Sequence, residues 1–320
     1  MHEEYLQLAK TYGDFVRIAP NEVMTTDVDA LVKVHGGASK CTKGMVYDNL
    51  HLSGIRNLDG IEDRASYKLR RQVWNKAFNT RCVESDWLTR VEELAAAGQA
   101  VDDSLFSLLI SFDNMGRVGF SREFGLVTAG KESHYLELIE WLFGSIAVLG
   151  SSFGWPVPIR TDNPEDVMKY FIADRGSEDL KSFESIETLY SDSAALFIGA
   201  TDTIDFALST TFYYLAKYPD LRPRLRDGLK KIVTESGGFQ HSDLPGVELM
   251  DAIINETMRM HSPIGANGSR FNPPEGMAIG DTLIPGDVGI YLPTPNCHHC
   301  EMYFKHAVEF IDRETASVAD

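Results

Sequence analysis

The sequence is short of positive charge. Thirty Lys and Arg face 47 Asp and Glu across 320 residues, leaving a formal net charge of −17. That deficit excludes the partners that need a basic face, nucleic acid and an anionic membrane surface. Long apolar runs are missing as well, so no membrane-spanning segment or anchor is predicted. The first ten residues read as an amphipathic helix and lack the apolar core of a signal peptide. A soluble, cytoplasmic protein is therefore expected, and its four cysteines (Cys41, Cys82, Cys297, Cys300) are expected as free thiols. No second Cys/His pair accompanies Cys297-His298-His299-Cys300, and four adjacent residues do not easily wrap one tetrahedral ion. No metal is expected there.

What is present is a chain with 43% hydrophobic and 24% charged residues, large enough for one big core or two unequal lobes. Its centre is a predicted helix over Glu184–Lys217. That stretch has no proline and a single glycine, Gly199, and Pro219 makes continuation difficult. Apolar residues lie nearly all round it, as in a helix buried through a large domain. Yet Thr201, Asp202, Thr203 and Asp205 sit in its middle. Either the threonines bond back to the preceding turn and the carboxylates meet water or an arginine, or these groups do chemistry.

A second predicted helix, Leu249–His261, places Glu256 and Arg259 three residues apart on one face, where they can form an ion pair. Other stretches follow in a consistent order. Residues 15–27 alternate as a hairpin around Ala19-Pro20-Asn21. Arg64–Phe78 is a helix with a basic face, and Asp102–Val118 is another, as are Ser85–Ala97, His134–Gly150 and Asp220–Thr234. Strand-like pieces at Met277–Ile279 and Val288–Leu292 are expected to pair with residues 15–27.

A helix with the centre Gly199-Ala200-Thr201-Asp202-Thr203, then Glu256-x-x-Arg259-x-His261-x-Pro263, resembles the cytochrome P450 monooxygenases, especially the microsomal type common in fungi. Arg70-Arg71-Gln72-Val73-Trp74 resembles that family's arginine-rich third helix. Ser111–Gly116 resembles its fifth. The resemblance implies a mainly α fold with a small β-sheet, as one domain over residues 1–320. A β-rich lobe is expected from about 1–62 and 270–295, and a helical lobe over 63–269. It also implies that residue 71, an arginine here, grips a haem propionate, and that the usual histidine partner is replaced by Tyr67.

Several family features are reduced. The N-terminal anchor and a long lid helix after Pro156-Val157-Pro158 are not found, and the thiolate Cys loop is not among residues 1–320. A motif usually rich in Pro and Arg reads Ala307, Phe310, Asp312 and Glu314, and Glu314 is expected to repel Glu256. These departures suggest a truncated, haem-independent enzyme with no cofactor. It would bind a hydrophobic small molecule and assist a redox-neutral cyclisation, pericyclic reaction, isomerisation or dehydration. Asp202, Thr203 and Asp205 are the candidate catalytic groups, with Asp202 expected to be buried against Phe197 and Phe206. Tyr67, Arg71, Phe197, Gly199, Ala200 and Phe206 are candidate substrate contacts. Glu256 and Arg259 are expected to hold the fold, and a bared face of the central helix is expected to be repacked or to form a homodimer. The alternatives are a haem-thiolate monooxygenase represented by an incomplete chain, and a non-catalytic remnant that binds a ligand or partner.

Overall fold

The computed structural model describes residues 2–49, 51–52, 55–78, 87–121, 124–129, 166–177, 182–183, 185–236, 247–264 and 268–311. The expected helix at 134–150, the Pro-rich turn, the shortened lid segment, Cys82, Asp312 and Glu314 lie outside these residues. The fold is mainly α with a small sheet. Its longer helices are α1 (His2–Tyr12), α2 (Arg64–Phe78), α3 (Trp87–Ala96), α4 (Asp103–Phe120), α5 (Val167–Gly176), α6 (Ile186–Lys217), α7 (Leu221–Ser236) and α8 (Glu248–Met260). The chain divides into two compact units, Met1–Cys41 with Phe206–Asp320, and Thr42–Asp205. The division falls inside α6, a single continuous helix.

In the first unit, strands β1 (Phe15–Ala19) and β2 (Glu22–Thr25) form the expected antiparallel hairpin, with Val16 opposite Met24. Four further strands are β3 (Arg270–Phe271), β4 (Met277–Ile279), β5 (Thr282–Ile284) and β6 (Gly289–Tyr291). β6 runs parallel to β2, with Val23 opposite Ile290, and antiparallel to β3. One expected pairing is corrected: β4 does not join the 15–27 hairpin but pairs with β5, Ile279 opposite Thr282. The two-residue turn Gly280-Asp281, with Gly280 at φ 53°, closes that local hairpin before β4 can reach further. Ala30, Val34, Ile279, Ile284, Ile290 and Leu292 pack together beneath these strands. Gly286 must be glycine, because a methyl there would collide with the Pro274 carbonyl.

In the second unit, α2 begins and ends where its periodicity predicts, and α4 starts one residue after its cap, Asp102, whose carboxylate accepts the Leu105 N–H at 3.2 Å. Phe171 of α5 stacks on Phe183 at 4.8 Å and tilts against Trp74 of α2 at 5.3 Å. Val73, Ala77, Met115, Val167, Met168, Leu189 and Leu196 complete this core. Burying each large side chain stabilises the unit by roughly 1.5–3 kcal/mol.

α6 runs for 32 residues. Its interior threonines Thr201, Thr203, Thr210 and Thr211 each donate to the carbonyl four residues back at 2.7 Å, so their hydroxyls find partners within the helix. The helix closes at Lys217, and Tyr218 N–H still reaches the Tyr214 carbonyl before Pro219 ends the run.

Candidate functional site

The middle of α6 has two contrasting sides. Thr201 is buried, and Phe197 turns into the second unit against Phe112, Phe120 and Phe124, with ring centroids 5.5–6.3 Å apart. Ala200 packs against the core that contains Leu196. On the other side, Gly199, Asp202, Thr203 and Phe206 follow at helical spacing and form an open strip. A Cβ placed on Gly199 would meet none of the described residues within 4 Å. Asp202 is exposed, Thr203 is half-buried and Phe206 is 41% exposed. Asp205 is half-buried.

This geometry corrects the expected environment of Asp202. Its carboxylate is not buried between Phe197 and Phe206, because the 100° step per residue carries Phe197 into the core and leaves Asp202 in solvent. Thr203 Oγ1 donates to the Gly199 carbonyl at 2.7 Å, which leaves its lone pairs for an incoming group.

The strongly shifted carboxylate on α6 is Asp192. Its side chain is fully buried. It accepts the Leu58 N–H at 2.9 Å and the Trp74 indole N–H at 2.8 Å, and Arg70 Nη1 lies 3.3 Å away. Burial pushes its pKa up to about 6, against the opposing pull of Arg70 and of the N–H donors. Arg70 also donates to the carbonyls of Arg56 and Ser182 and lies over the Phe183 ring. The sequence signal for this site was a lone acid, Tyr190-Ser191-Asp192-Ser193, in an apolar helix. Its partners lie more than 100 residues away and carry no local pattern.

On α2 the two expected anchors sit beside that network. Tyr67 is half-buried, with Lys43 Nζ 4.9 Å from its ring centroid. Arg71 is exposed and spends one N–H on Asn75 Oδ1, at 3.0 Å within the same helix. Arg70 points to Asp192, and Arg71, 100° further round, does not.

Glu256 and Arg259 form the expected pair on α8, with Nε and Nη2 of Arg259 2.8 and 2.7 Å from the two carboxylate oxygens. The same guanidinium donates to the carbonyls of His298, Ala307 and Glu309 at 2.6–2.8 Å. Ile311 N–H donates to Glu256 Oε1 at 2.9 Å. Backbone groups thus fill places around the pair, so a third charged side chain is not needed to satisfy it.

Among the described residues no group of three or more His, Cys, Asp or Glu could hold an ion. Burial, with Cys300 and Asp27 nearby, pushes the Cys297 thiol up to about 11. Burial likewise lowers His298 and His299. His299 Nε2 lies 3.1 Å from the Met260 carbonyl, tying this run to the end of α8. Among the described residues no helix is long and apolar enough to cross a membrane.

The sequence model of the family described as Cytochrome P450 matches residues 156–312. Cytochrome P450 monooxygenase FCK2 of Fusarium pseudograminearum is 30% identical, over 97% of this chain and 62% of its own length. Cytochrome P450 monooxygenase sthD of Phaeosphaeria nodorum is 27% identical, over 100% of this chain and 74% of its own. Tryprostatin B 6-hydroxylase of Neosartorya fischeri is 27% identical, over 90% of this chain and 58% of its own. The chain therefore spans about three-fifths of the first and third of these relatives. A zebra fish cytochrome P450 solved with abiraterone superposes with a TM-score of 0.74 at 17% identity, covering 98% of this chain and 82% of that one. These relatives are named as monooxygenases and a hydroxylase, which overturns the expectation of a haem-independent, redox-neutral enzyme without a cofactor. The family model over residues 156–312, the fungal relatives and the fold together support a cytochrome P450-family protein.

Proposed function

We propose that these residues supply the substrate-side wall and one edge of a haem site in a monooxygenase that hydroxylates a hydrophobic small molecule. The observation that carries this reading is the open strip of α6. A flat macrocycle needs a stretch of helix with no projecting side chain, and Gly199 offers it, with Ala200 beside it. The group's anionic edge needs a cation and a hydroxyl. Arg71, exposed and with donors beyond the one given to Asn75, and Tyr67 fit that need. The thiolate ligand is a different matter. Cys297 does not fit it, since burial holds its thiol protonated.

Haem held by a thiolate supplies cleavage of the O–O bond and delivery of one oxygen atom. The chain's own residues bind, orient and move protons around it. Asp202, open to solvent, takes protons from water at its carboxylate. Thr203 Oγ1, fixed by its bond to the Gly199 carbonyl, holds a hydroxyl one residue away. Phe206 and Ile204 add apolar surface on the same helix, which suits a hydrophobic guest. The relative named tryprostatin B 6-hydroxylase carries a hydroxylation in its name, which supports the hydroxylating reading.

The test is a haem titration followed by tryptophan quenching and visible absorbance. Wild type binds haem, and Arg71→Ala weakens binding about tenfold, as loss of a charged hydrogen bond implies. Tyr67→Phe weakens it less. Binding that ignores both substitutions contradicts this reading.

A further inference from the structure

Asp192 is a strongly shifted acid on α6, and it lies on the same face as the open strip. Seven residues separate it from Gly199 and eleven from Thr203, so all three fall within about 20° of one line along the helix. Along the axis they are spaced ~10 Å and ~17 Å apart. At Asp192 this face is closed by α2 and by the loop at Leu58, and at Gly199 it is open. On α2 the residues that reach Asp192, Arg70 and Trp74, flank the same sector as Tyr67 and Arg71.

We propose that Asp192 is a positioning residue for the site. Its carboxylate binds three donors from two segments, the Leu58 backbone, Arg70 and Trp74, and so fixes the rotation and height of α2 along α6. Tyr67 and Arg71 are thereby carried to the edge of whatever lies on Gly199 and Thr203. The inference rests on the haem reading for what Tyr67 and Arg71 grip, but the clamp itself does not depend on it. Arg70 behaves as part of the clamp: its charge is almost wholly buried, over the ring of Phe183, and its donors span Arg56, Ser182 and Asp192. Its place on α2 is set by that network, and Arg71 inherits its position from it.

The experiment compares wild type with Asp192→Asn, Asp192→Glu and Trp74→Phe. It measures amide hydrogen exchange by peptide and haem affinity by titration. In Asp192→Asn, exchange at residues 56–60 and 64–78 rises about tenfold, while the β1–β2–β6 peptides are unchanged. Haem affinity falls about tenfold, the usual scale for losing a residue that orients a ligand-bearing group. Asp192→Glu recovers most of both effects. Trp74→Phe, which removes one donor and keeps the ring, gives a smaller change of the same kind and serves if the Asn variant does not fold. Unchanged exchange at 56–78 overturns the clamp. Faster exchange everywhere, or faster exchange at 56–78 with haem affinity intact, overturns the positioning role. If wild type itself does not bind haem, the proposed function fails, and the exchange pattern alone decides whether Asp192 clamps α2.

Discussion

Thr203 donates its hydroxyl to the carbonyl of Gly199, 2.7 Å away and one turn earlier on α6. The bond joins the residue with no side chain to the residue whose hydroxyl faces the open strip. Removing the hydroxyl while keeping the shape, as in Thr203→Val, leaves the helix intact, because the Gly199 carbonyl keeps its helical partner. Unfolding free energy stays within ~1 kcal/mol of wild type, and the loss appears in product formation. Urea unfolding and product yield measured on the same preparation separate the two effects.

Gly199 is a helix-interior glycine with none of the described residues within 4 Å of a Cβ placed there, so close packing does not account for it. Gly199→Ala is expected to raise stability by about 1 kcal/mol, since alanine loses less backbone entropy in a helix. A shift of the urea midpoint to higher concentration at unchanged slope is the expected result.

Arg259 holds five acceptor oxygens at once, two on Glu256 and three on the backbone. Arg259→Ala leaves Glu256 and three carbonyls short of partners and costs about 3–5 kcal/mol. Arg259→Lys keeps the charge but not the planar fork, so thermal unfolding places it closer to Ala than to wild type.

Asp192 gives stability a particular pH dependence. Its folded pKa, about 6, stands above the ordinary value of 3.8 because it is buried. The folded state therefore holds the proton more tightly than the unfolded state. The associated stability is fully present below about pH 4 and is lost as pH rises through about 6, an effect on the order of 3 kcal/mol. Asp192→Asn removes this component. The difference in unfolding free energy between the variant and wild type, measured from pH 4 to 7.5, follows that curve; a flat difference shows that the burial term does not dominate.

Cys297 tests the electrostatics elsewhere in the chain. With its thiol raised to about 11, it reacts slowly with a maleimide at neutral pH in the folded protein and rapidly after unfolding. Peptide mass spectrometry of the labelled sites distinguishes it from Cys300.

Much of this fold is legible in sequence because its helices obey local rules. α2 and α6 are bounded by periodicity and by proline, and α4 is capped by Asp102. The open strip is legible as a motif, Gly199-Ala200-Thr201-Asp202-Thr203, but not as an environment. Whether Asp202 is buried depends on the rotation of α6, which is set by the distant rings of Phe112 and Phe120. Asp192 is illegible for the same reason: Leu58, Arg70 and Trp74 meet it only in three dimensions. The redox chemistry is a separate case. A Cys loop missing from residues 1–320 carries no information about haem, whereas the pattern shared with named monooxygenases does.

The central claim is that Gly199 on α6 would line a haem site that Arg71 and Tyr67 would help to hold. Its most direct test is the haem affinity of Gly199→Phe, a substitution whose Cβ meets none of the described residues within 4 Å and whose ring would fill the open strip. The account predicts a cooperatively folded protein whose haem affinity is lost. A Gly199→Phe protein that binds haem as tightly as wild type, with the same absorbance spectrum, contradicts it.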